Sequence, residues 1–427
     1  MQRRRAVQLL GGLGSAALAG GMIGCSSVGG QARPQVVVVG GGFGGATAAK
    51  YLRLASKGQL DVTLIEPNEA LVSCPMSNLV LGGRLQMADI TRSYATLERN
   101  HGVRWLRATA ARIDPAQQQV LLDDGRRLHY QRLVLSPGID MMWEKLAGLQ
   151  DLASQQQVLH AWKAGVQTVA LRQQLQAMPD GGVFVMSVPL LPFRCPPAPY
   201  ERACQVAAYF RQHKPNAKIL ILDANDDVAA EAALFRQAWH ERYAGMIEYR
   251  PKFQVAEVDL ASRMLVSEFG DKVRWDVLNL IPEQRAGRIA QQSGLANINA
   301  RWCEVDFLSY ASKSQPLIHV LGDAIQIAPK MPKAGQMAAQ QGRVCAQAIV
   351  AMLAGHDPDP APQLASACYS FVAPDAAIHL GSVHGWDAVQ KTMLPLAAHA
   401  TLSAQASALE AQHGHAWAQA IWREVLE

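Results

Sequence analysis

An α/β fold with two Rossmann-like dinucleotide-binding domains and a C-terminal segment is predicted by three features of this 427-residue sequence. An apolar strand, Gln35–Val39, runs directly into Gly40-Gly41-Gly42-Phe43-Gly44-Gly45 and a helix-like stretch, Ala46–Ala55. A second strand at Gly182–Val188, followed by another at Lys218–Leu222, marks a second unit of the same kind. Near the far end, Ile318-His319-Val320-Leu321 closes in Gly322-Asp323-Ala324. Short, wholly apolar strands alternating with helical patterns belong to parallel sheets covered on both faces. With 49% hydrophobic residues and 34 glycines that follow no three-residue period, the chain is neither disordered nor collagen-like.

The first unit has G-x-G-x-x-G in its required context, a strand before and a helix after. Gly40 allows the tight turn, Gly42 lets backbone approach a pyrophosphate, and Gly45 lets the helix pack closely on the strand. The helix N-terminus faces the phosphates. The next strand, Asp61–Ile65, ends at Glu66, 21 residues after Gly45, where a carboxylate can accept hydrogen bonds from both ribose hydroxyls. This motif does not separate FAD from NAD. Two later segments favour FAD. The Gly322-Asp323 strand, with the Pro/Lys-rich loop and the helical Ala334–Leu353 after it, resembles one carried by two-dinucleotide flavoproteins, which implies the Asp beside the ribityl chain and the helix N-terminus near the flavin ring. Leu133-Val134-Leu135-Ser136-Pro137-Gly138 has the form of the strand and turn that close the first FAD segment.

These features define an FAD-binding domain at 34–148 and 286–358, interrupted by a Rossmann-like domain at 149–285 and followed by a C-terminal segment, 359–427. The inserted domain has lost its phosphate loop. Between its strands the chain reads Pro189-Leu190-Leu191-Pro192-Phe193-Arg194-Cys195-Pro196-Pro197-Ala198-Pro199, with no glycine and five prolines that remove backbone donors. The domain therefore lacks a functional NAD site, and a cysteine stands where the loop would be.

Seven cysteines (25, 74, 195, 204, 303, 345 and 368) contain no C-x-x-C pair, so the common zinc and c-haem spacings are missing; no metal site is expected. Cys195 lies in a loop at the C-terminal end of a sheet strand, where open α/β sheets bind ligands. Arg194, Arg202 and the helix starting near Pro199 are expected to lower its pKa towards a thiolate. For Cys74, eight residues after Glu66, spacing leaves a reactive role and simple packing equally open. Nothing in the sequence alone brings Cys368 near Cys195. Cys204, Cys303 and Cys345 read as core.

Formal charge is +5, of which Arg3, Arg4 and Arg5 supply three positives, with no basic run elsewhere; nucleic-acid binding is not expected. Residues 1–25 pair that basic start with a short Gly/Ala-rich apolar stretch, an export signal of twin-arginine type. Met22-Ile23-Gly24-Cys25 also fits a lipobox, leaving a lipid anchor at Cys25 and ordinary cleavage nearby as two endings. Export predicts a periplasmic protein in which a disulfide is chemically reasonable. The tail His384–Glu427 reads as mostly helical, with Trp417, Ile421, Trp422 and Leu426 along one side, either core or facing a partner.

The run Val36–Gly45, the segment Cys74-Pro75-Met76-Ser77-Asn78 with Gly82-Gly83, and Phe193-Arg194-Cys195-Pro196-Pro197-Ala198-Pro199-Tyr200-Glu201-Arg202 together resemble one family. So do Asn279-Leu280-Ile281-Pro282, Arg285-Ala286-Gly287, His319–Asp323 and Cys368-Tyr369-Ser370. The chain resembles the flavoprotein subunit of flavocytochrome c sulfide dehydrogenase, a relative of sulfide:quinone reductases, over about residues 35–373. The resemblance implies FAD attached covalently through Cys74, a redox-active disulfide between Cys195 and Cys368, and Glu201 as a proton-transfer group. It implies oxidation of hydrosulfide or polysulfide to sulfane sulfur, with electrons leaving through FAD to a c-type cytochrome subunit. Two other readings stand beside it: a sulfide:quinone reductase-like enzyme, and a non-enzymatic exported FAD electron-transfer subunit.

Overall fold

The computed structural model describes residues 33–427; the export signal read at 1–25, with Cys25, lies outside them. The first sheet grows from β1 (Gln35–Val39), whose last four residues are buried valines. Around it pair β2 (Asp61–Ile65), β3 (Arg104–Leu106) and β4 (Arg132–Leu135), and the strand Ile318–Val320 joins β4 at the edge. All five run parallel. Helix α1 (Phe43–Ala55) begins three residues earlier than the apolar pattern predicts, because its first turn is made of Gly44 and Gly45 themselves. Space is tight there: a Cβ on Gly45 would stand 1.9 Å from the Gly40 carbonyl oxygen, a backbone atom, and one on Gly44 would stand 2.3 Å from the end of the Leu321 side chain. A short helix, α2 (Ser77–Leu81), follows the turn at Cys74.

The second sheet is also parallel. It consists of β5 (Val183–Val188), β6 (Lys218–Asp223), β7 (Ile247–Arg250) and β8 (Val277–Leu280) in the order β7-β6-β5-β8. Helix α3 (Ala198–His213) leaves β5 through the proline-rich loop, and α4 (Ala232–Arg242) leaves β6. Helix α5 (Gly335–Leu353) returns to the first sheet and lies on α1, where Gly342 allows contact; a Cβ there would be 2.4 Å from the Gly44 carbonyl oxygen.

The tail departs from the helical expectation. Two long antiparallel strands, β9 (Gln363–Ala373) and β10 (Ala376–Asp387), pair along their length, and β11 (Thr392–Pro395) adds to β10. Only α6 (Ala408–Leu426) is a long helix. Between residue 384 and α6, Thr392–Pro395 and Thr401–Leu402, with β-branched and apolar residues that suit a ladder, pair with β10, and Ala397–His399 forms only a single 3-10 turn between them. The aromatic stripe of α6 faces inward: Ile421, Trp422 and Leu426 are buried, and Trp422 Nε1 donates to Ser73 Oγ at 2.9 Å. Lys50 of α1 closes the helix end, donating to the Glu424 carbonyl at 2.8 Å. Among the described residues no helix is long and apolar enough to cross a membrane.

Candidate active site

The loops at the C-terminal ends of β1 and β5 meet the middle of β9 around one cavity. It is lined by Gly42, Cys74, Gly138, Cys195, Glu201, Gly322, Asp323 and Cys368, eight of the residues singled out from the sequence. The other three, Gly40, Gly45 and Glu66, lie outside that lining and shape the turn behind it. Gly40 has φ +96°, and a Cβ on it would stand 2.3 Å from the Ser136 carbonyl oxygen. Glu66, read from the sequence as an acceptor for the ribose hydroxyls, also holds the turn itself. Its Oε2 accepts from the Gly41 N–H at 2.7 Å, and its Oε1 accepts from the Asn68 N–H at 2.9 Å and Nδ2 at 2.6 Å. A carboxylate oxygen takes about two donors, so Oε2 keeps room for about one. Glu66 thus fixes the glycine turn first.

The lining fits a flavin dinucleotide. At Gly42, the residue before α1, an added Cβ would meet nothing within 4 Å, which leaves open space against the first N–H groups of the helix. Gly138 borders open space in the same way. Asp323 Oδ1 is buried without a hydrogen-bond partner. Such orphans are rare in folded proteins, and this one belongs to a residue that lines the cavity, leaving an unspent acceptor beside it. Burial pushes the Asp323 carboxyl above its ordinary value, against the pull of Arg194 and Lys333.

Cys195 is held in a left-handed conformation, φ 56°, with its N–H donating to the Lys333 carbonyl at 2.7 Å and its own carbonyl accepting from Ala198 at 3.0 Å. The expected thiolate is not what the surroundings favour. Burial, Cys368 and Glu201 raise the Cys195 thiol well above its ordinary value, and Arg194 only partly opposes them. Arg202 is aimed elsewhere. Its guanidinium donates to Asn78 Oδ1 at 3.0 Å, Asn279 Oδ1 at 2.8 Å and the carbonyls of His160 and Ala161, and it lies over the Trp162 ring. Cys368, paired with Leu380 across β9 and β10, is pushed up to about 12 by burial, with Glu231 and Glu201 adding to it. Both sulfurs are free thiols here. Cys368 also borders a second, mainly apolar cavity with Phe193, Pro196, Met331 and Leu380, so it stands between two chambers.

Glu201, in the first turn of α3, accepts from Asn78 Nδ2 at 2.6 Å and from the Phe371 N–H at 3.0 Å. Burial raises its carboxyl to about 7, although these donors and Arg202 pull the other way. It can therefore bind or release a proton near neutrality, as a general acid or base must. At Cys74 the backbone carbonyl accepts from the Ser77 N–H at 3.0 Å and Oγ at 2.6 Å, which fixes the turn into α2. Its sulfur lies 3.1 Å from Arg194 Nη2.

Several contributors escaped the sequence reading. Asn78 links Glu201 to Arg202; its one signal was its place in the Cys-Pro-Met-Ser-Asn segment. Gln336, at the start of α5, accepts from the Ala367 N–H at 2.8 Å and from Trp417 Nε1 at 2.9 Å, steadying the strand at Cys368. Lys333 donates to the carbonyls of Asp323 and Ile325 at 2.8 and 2.6 Å, and burial lowers it to about 7. Gln336 joins segments distant in sequence, whereas Lys333 closes its own loop onto carbonyls eight and ten residues back.

The loop of the second domain has few donors left. Leu191 N–H donates to Asn225 Oδ1, Arg194 N–H to Gln284 Oε1 and Cys195 N–H to Lys333. Among the described residues no group of three His, Cys, Asp or Glu side chains could hold a metal ion.

Comparison with known proteins points in one direction. Residues 168–282 match the central region of the sulfide dehydrogenase [flavocytochrome c] flavoprotein chain, and residues 360–426 match the flavin-binding region of flavocytochrome c sulphide dehydrogenase. Residues 34–176 match the pyridine nucleotide-disulphide oxidoreductase family. The sulfide dehydrogenase flavoprotein chain of Chlorobaculum thiosulfatiphilum is 61% identical over 46 residues, 11% of this chain and 94% of that sequence. The mitochondrial sulfide:quinone oxidoreductase of Mus musculus is 26% identical over 328 residues, 72% of this chain and 69% of that protein. The crystal structure of the sulfide:quinone oxidoreductase of Aquifex aeolicus has the same fold, with TM-score 0.75 at 17% identity, covering 92% of this chain and 91% of that one.

Proposed function

The chain belongs to the family of flavocytochrome c sulfide dehydrogenase flavoproteins, which are flavin-dependent sulfide oxidoreductases, and from that premise we propose that it oxidises sulfide at Cys195 and Cys368 and passes the electrons to a c-type cytochrome. The observation that carries this reading is that Cys195, Cys368 and Glu201 line the same cavity as Gly42, Cys74 and Asp323. Gly42, Gly138 and Asp323 would hold FAD, with Cys74 as its covalent anchor. Bound there, FAD supplies the conversion between a two-electron donor and a one-electron acceptor.

The chain's own part is thiol–disulfide chemistry. Hydrosulfide attacks one sulfur of a Cys195–Cys368 disulfide; a sulfur–sulfur bond forms to the incoming atom, the old one breaks, and the second cysteine leaves with the electron pair. The proton carried by hydrosulfide needs an acceptor in a buried site, and Glu201, poised near neutrality, fits that role. The mainly apolar chamber on the other side of Cys368 would favour a neutral sulfane chain over ions. The twin-arginine-type start and the lipobox at Cys25 support a periplasmic location, free or lipid-anchored.

The relatives that use quinone favour one rival acceptor. The test is anaerobic addition of substoichiometric sulfide to the purified protein. Bleaching of the flavin without NADH, followed by recovery of colour on adding a c-type cytochrome, is expected. No bleaching by sulfide refutes the reading, and recovery with a quinone but not cytochrome transfers the assignment to the quinone branch.

A further inference from the structure

Arg194 lines the cavity, yet among the described residues no carboxylate stands within ion-pair distance of it. Its backbone N–H is spent on Gln284 Oε1 at 2.9 Å. Its Nη2 donates to two acceptors, the Trp162 carbonyl and Cys74 Sγ, the latter at 3.1 Å. The Cys74 thiol in turn points at the same carbonyl, 3.9 Å away. A cation taken from bulk water needs a strong partner, and the nearest side chain offered to this one is a cysteine sulfur. Arg194 was read from the sequence as serving its neighbour Cys195, but no hydrogen bond joins the two. The backbone at both ends of the Arg194–Cys74 contact is tied by hydrogen bonds. Cys195 is tied to Lys333, Arg194 to Gln284, and the Cys74 carbonyl to Ser77.

We propose that Arg194 is a positioning residue for covalent attachment of the flavin: its guanidinium holds the Cys74 sulfur and stabilises that sulfur's negative charge while it bonds to the 8α carbon of the ring. The inference rests on the reading that Cys74 is the anchor. In the step, a sulfur–carbon bond forms and two protons leave, one from the thiol and one from the methyl group. The two electrons released pass into the ring, and one-electron acceptors of the cytochrome class, or dioxygen, remove them. The planar fork suits a site shared between a carbonyl and a sulfur; a lysine ammonium is a compact point charge and does not replace it.

The experiment uses full-length protein made in riboflavin-starved cells and then supplied with FAD. Covalent flavin is followed over time by acid precipitation and by intact mass, for the unmodified protein, Arg194→Ala, Arg194→Lys and Cys74→Ser. Loss of one charge-assisted hydrogen bond of this kind is expected to slow attachment on the order of tenfold or more in Arg194→Ala. Arg194→Lys should be slowed less, and guanidinium ion at non-denaturing concentration should restore part of the rate in Arg194→Ala. Attachment at the unmodified rate in either Arg194 variant overturns the proposal. If Arg194→Ala does not fold, Arg194→Lys decides alone. If the unmodified protein gains no covalent flavin, or Cys74→Ser still does, the anchor assignment itself has failed and this inference falls with it.

Discussion

Tyr200 donates its hydroxyl to Asp223 Oδ2 at 2.6 Å, and through that bond a helix residue occupies the acid that ends β6. Asp223 is fully buried and also accepts from Tyr249 at 3.1 Å and from Asn225. In a nucleotide-binding domain an acid at this strand end would receive a ribose. Here its oxygens are filled from within the chain, and the loop before Tyr200 has no glycine and spends the N–H groups of Leu191, Arg194 and Cys195 inside the protein.

NADH and NADPH are therefore expected not to reduce the flavin at useful rates. Anaerobic mixing with either nucleotide should leave the flavin absorbance unchanged over minutes. Rapid bleaching would show that the second domain still binds nicotinamide.

Two glycines separate cofactor binding from folding. Gly45→Ala places a methyl group 1.9 Å from a backbone oxygen and should destabilise the fold by about 1–3 kcal/mol or more. Gly42→Ala meets open space in the protein and, at the N-cap of α1, should lower apoprotein stability by no more than about 1 kcal/mol. The same methyl would stand where a pyrophosphate must approach, so flavin affinity should fall at least about tenfold, or ~1.4 kcal/mol. Titration with FAD and a thermal melt of each variant check both halves; equal behaviour of the two variants would contradict the cradle at Gly42.

Glu201 sets a pH window. Burial raises its carboxyl from 4.5 to about 7 in the folded protein. The folded state then holds this proton more tightly than the unfolded one, so the associated stability is full below about 4.5 and is lost as pH rises through about 7. The span corresponds to on the order of 3 kcal/mol. Glu201→Gln should flatten the decline in urea-melt stability between pH 5 and pH 8. As the proton acceptor, Glu201 should also make sulfide-driven reduction rise with pH through about 7. Hydrosulfide itself ionises in the same range, so the useful quantity is the rate ratio of unmodified protein to Glu201→Gln at each pH. A ratio that does not change with pH would remove Glu201 from proton transfer.

Cys74 is expected to retain the flavin covalently. Acid precipitation should leave the colour with the protein, and Cys74→Ser should release it while FAD binding persists through Gly42, Gly138 and Asp323. Flavin found wholly in the supernatant of the unmodified protein would refute the linkage.

The sequence made the first unit legible because its physics is local. A run of valines, a turn that only glycine can make and an acid at the next strand end all lie within 32 residues. The loss of the second phosphate loop was legible for the same reason. What could not be read was anything that depends on where a long side chain points. Arg194 sits next to Cys195 but reaches Cys74, and Arg202, directly after Glu201 in α3, spends its donors on Asn78 and Asn279. That is why Cys195 is pushed up by burial where adjacent positive charge predicted the reverse. The tail misled for a different reason: Thr392–Pro395 and Thr401–Leu402 took up strand pairing offered by β10, a partner found only in three dimensions.

The central claim is that Cys195 and Cys368 carry electrons from sulfide to the flavin. The most direct measurement is stopped-flow anaerobic bleaching of the flavin by sulfide in the unmodified protein and in Cys195→Ser, Cys368→Ser, Cys204→Ser and Cys345→Ser. Cys204 and Cys345 are fully buried within α3 and α5 and line neither chamber. Bleaching should be abolished in the Cys195 and Cys368 variants, with flavin retained and melting only modestly changed, and should stay within a few-fold in the other two. A bridge with a purely structural role would instead show mainly as lost stability, about 4–5 kcal/mol for so long a loop. If the Cys195 and Cys368 variants bleach at the unmodified rate, the proposed chemistry is wrong.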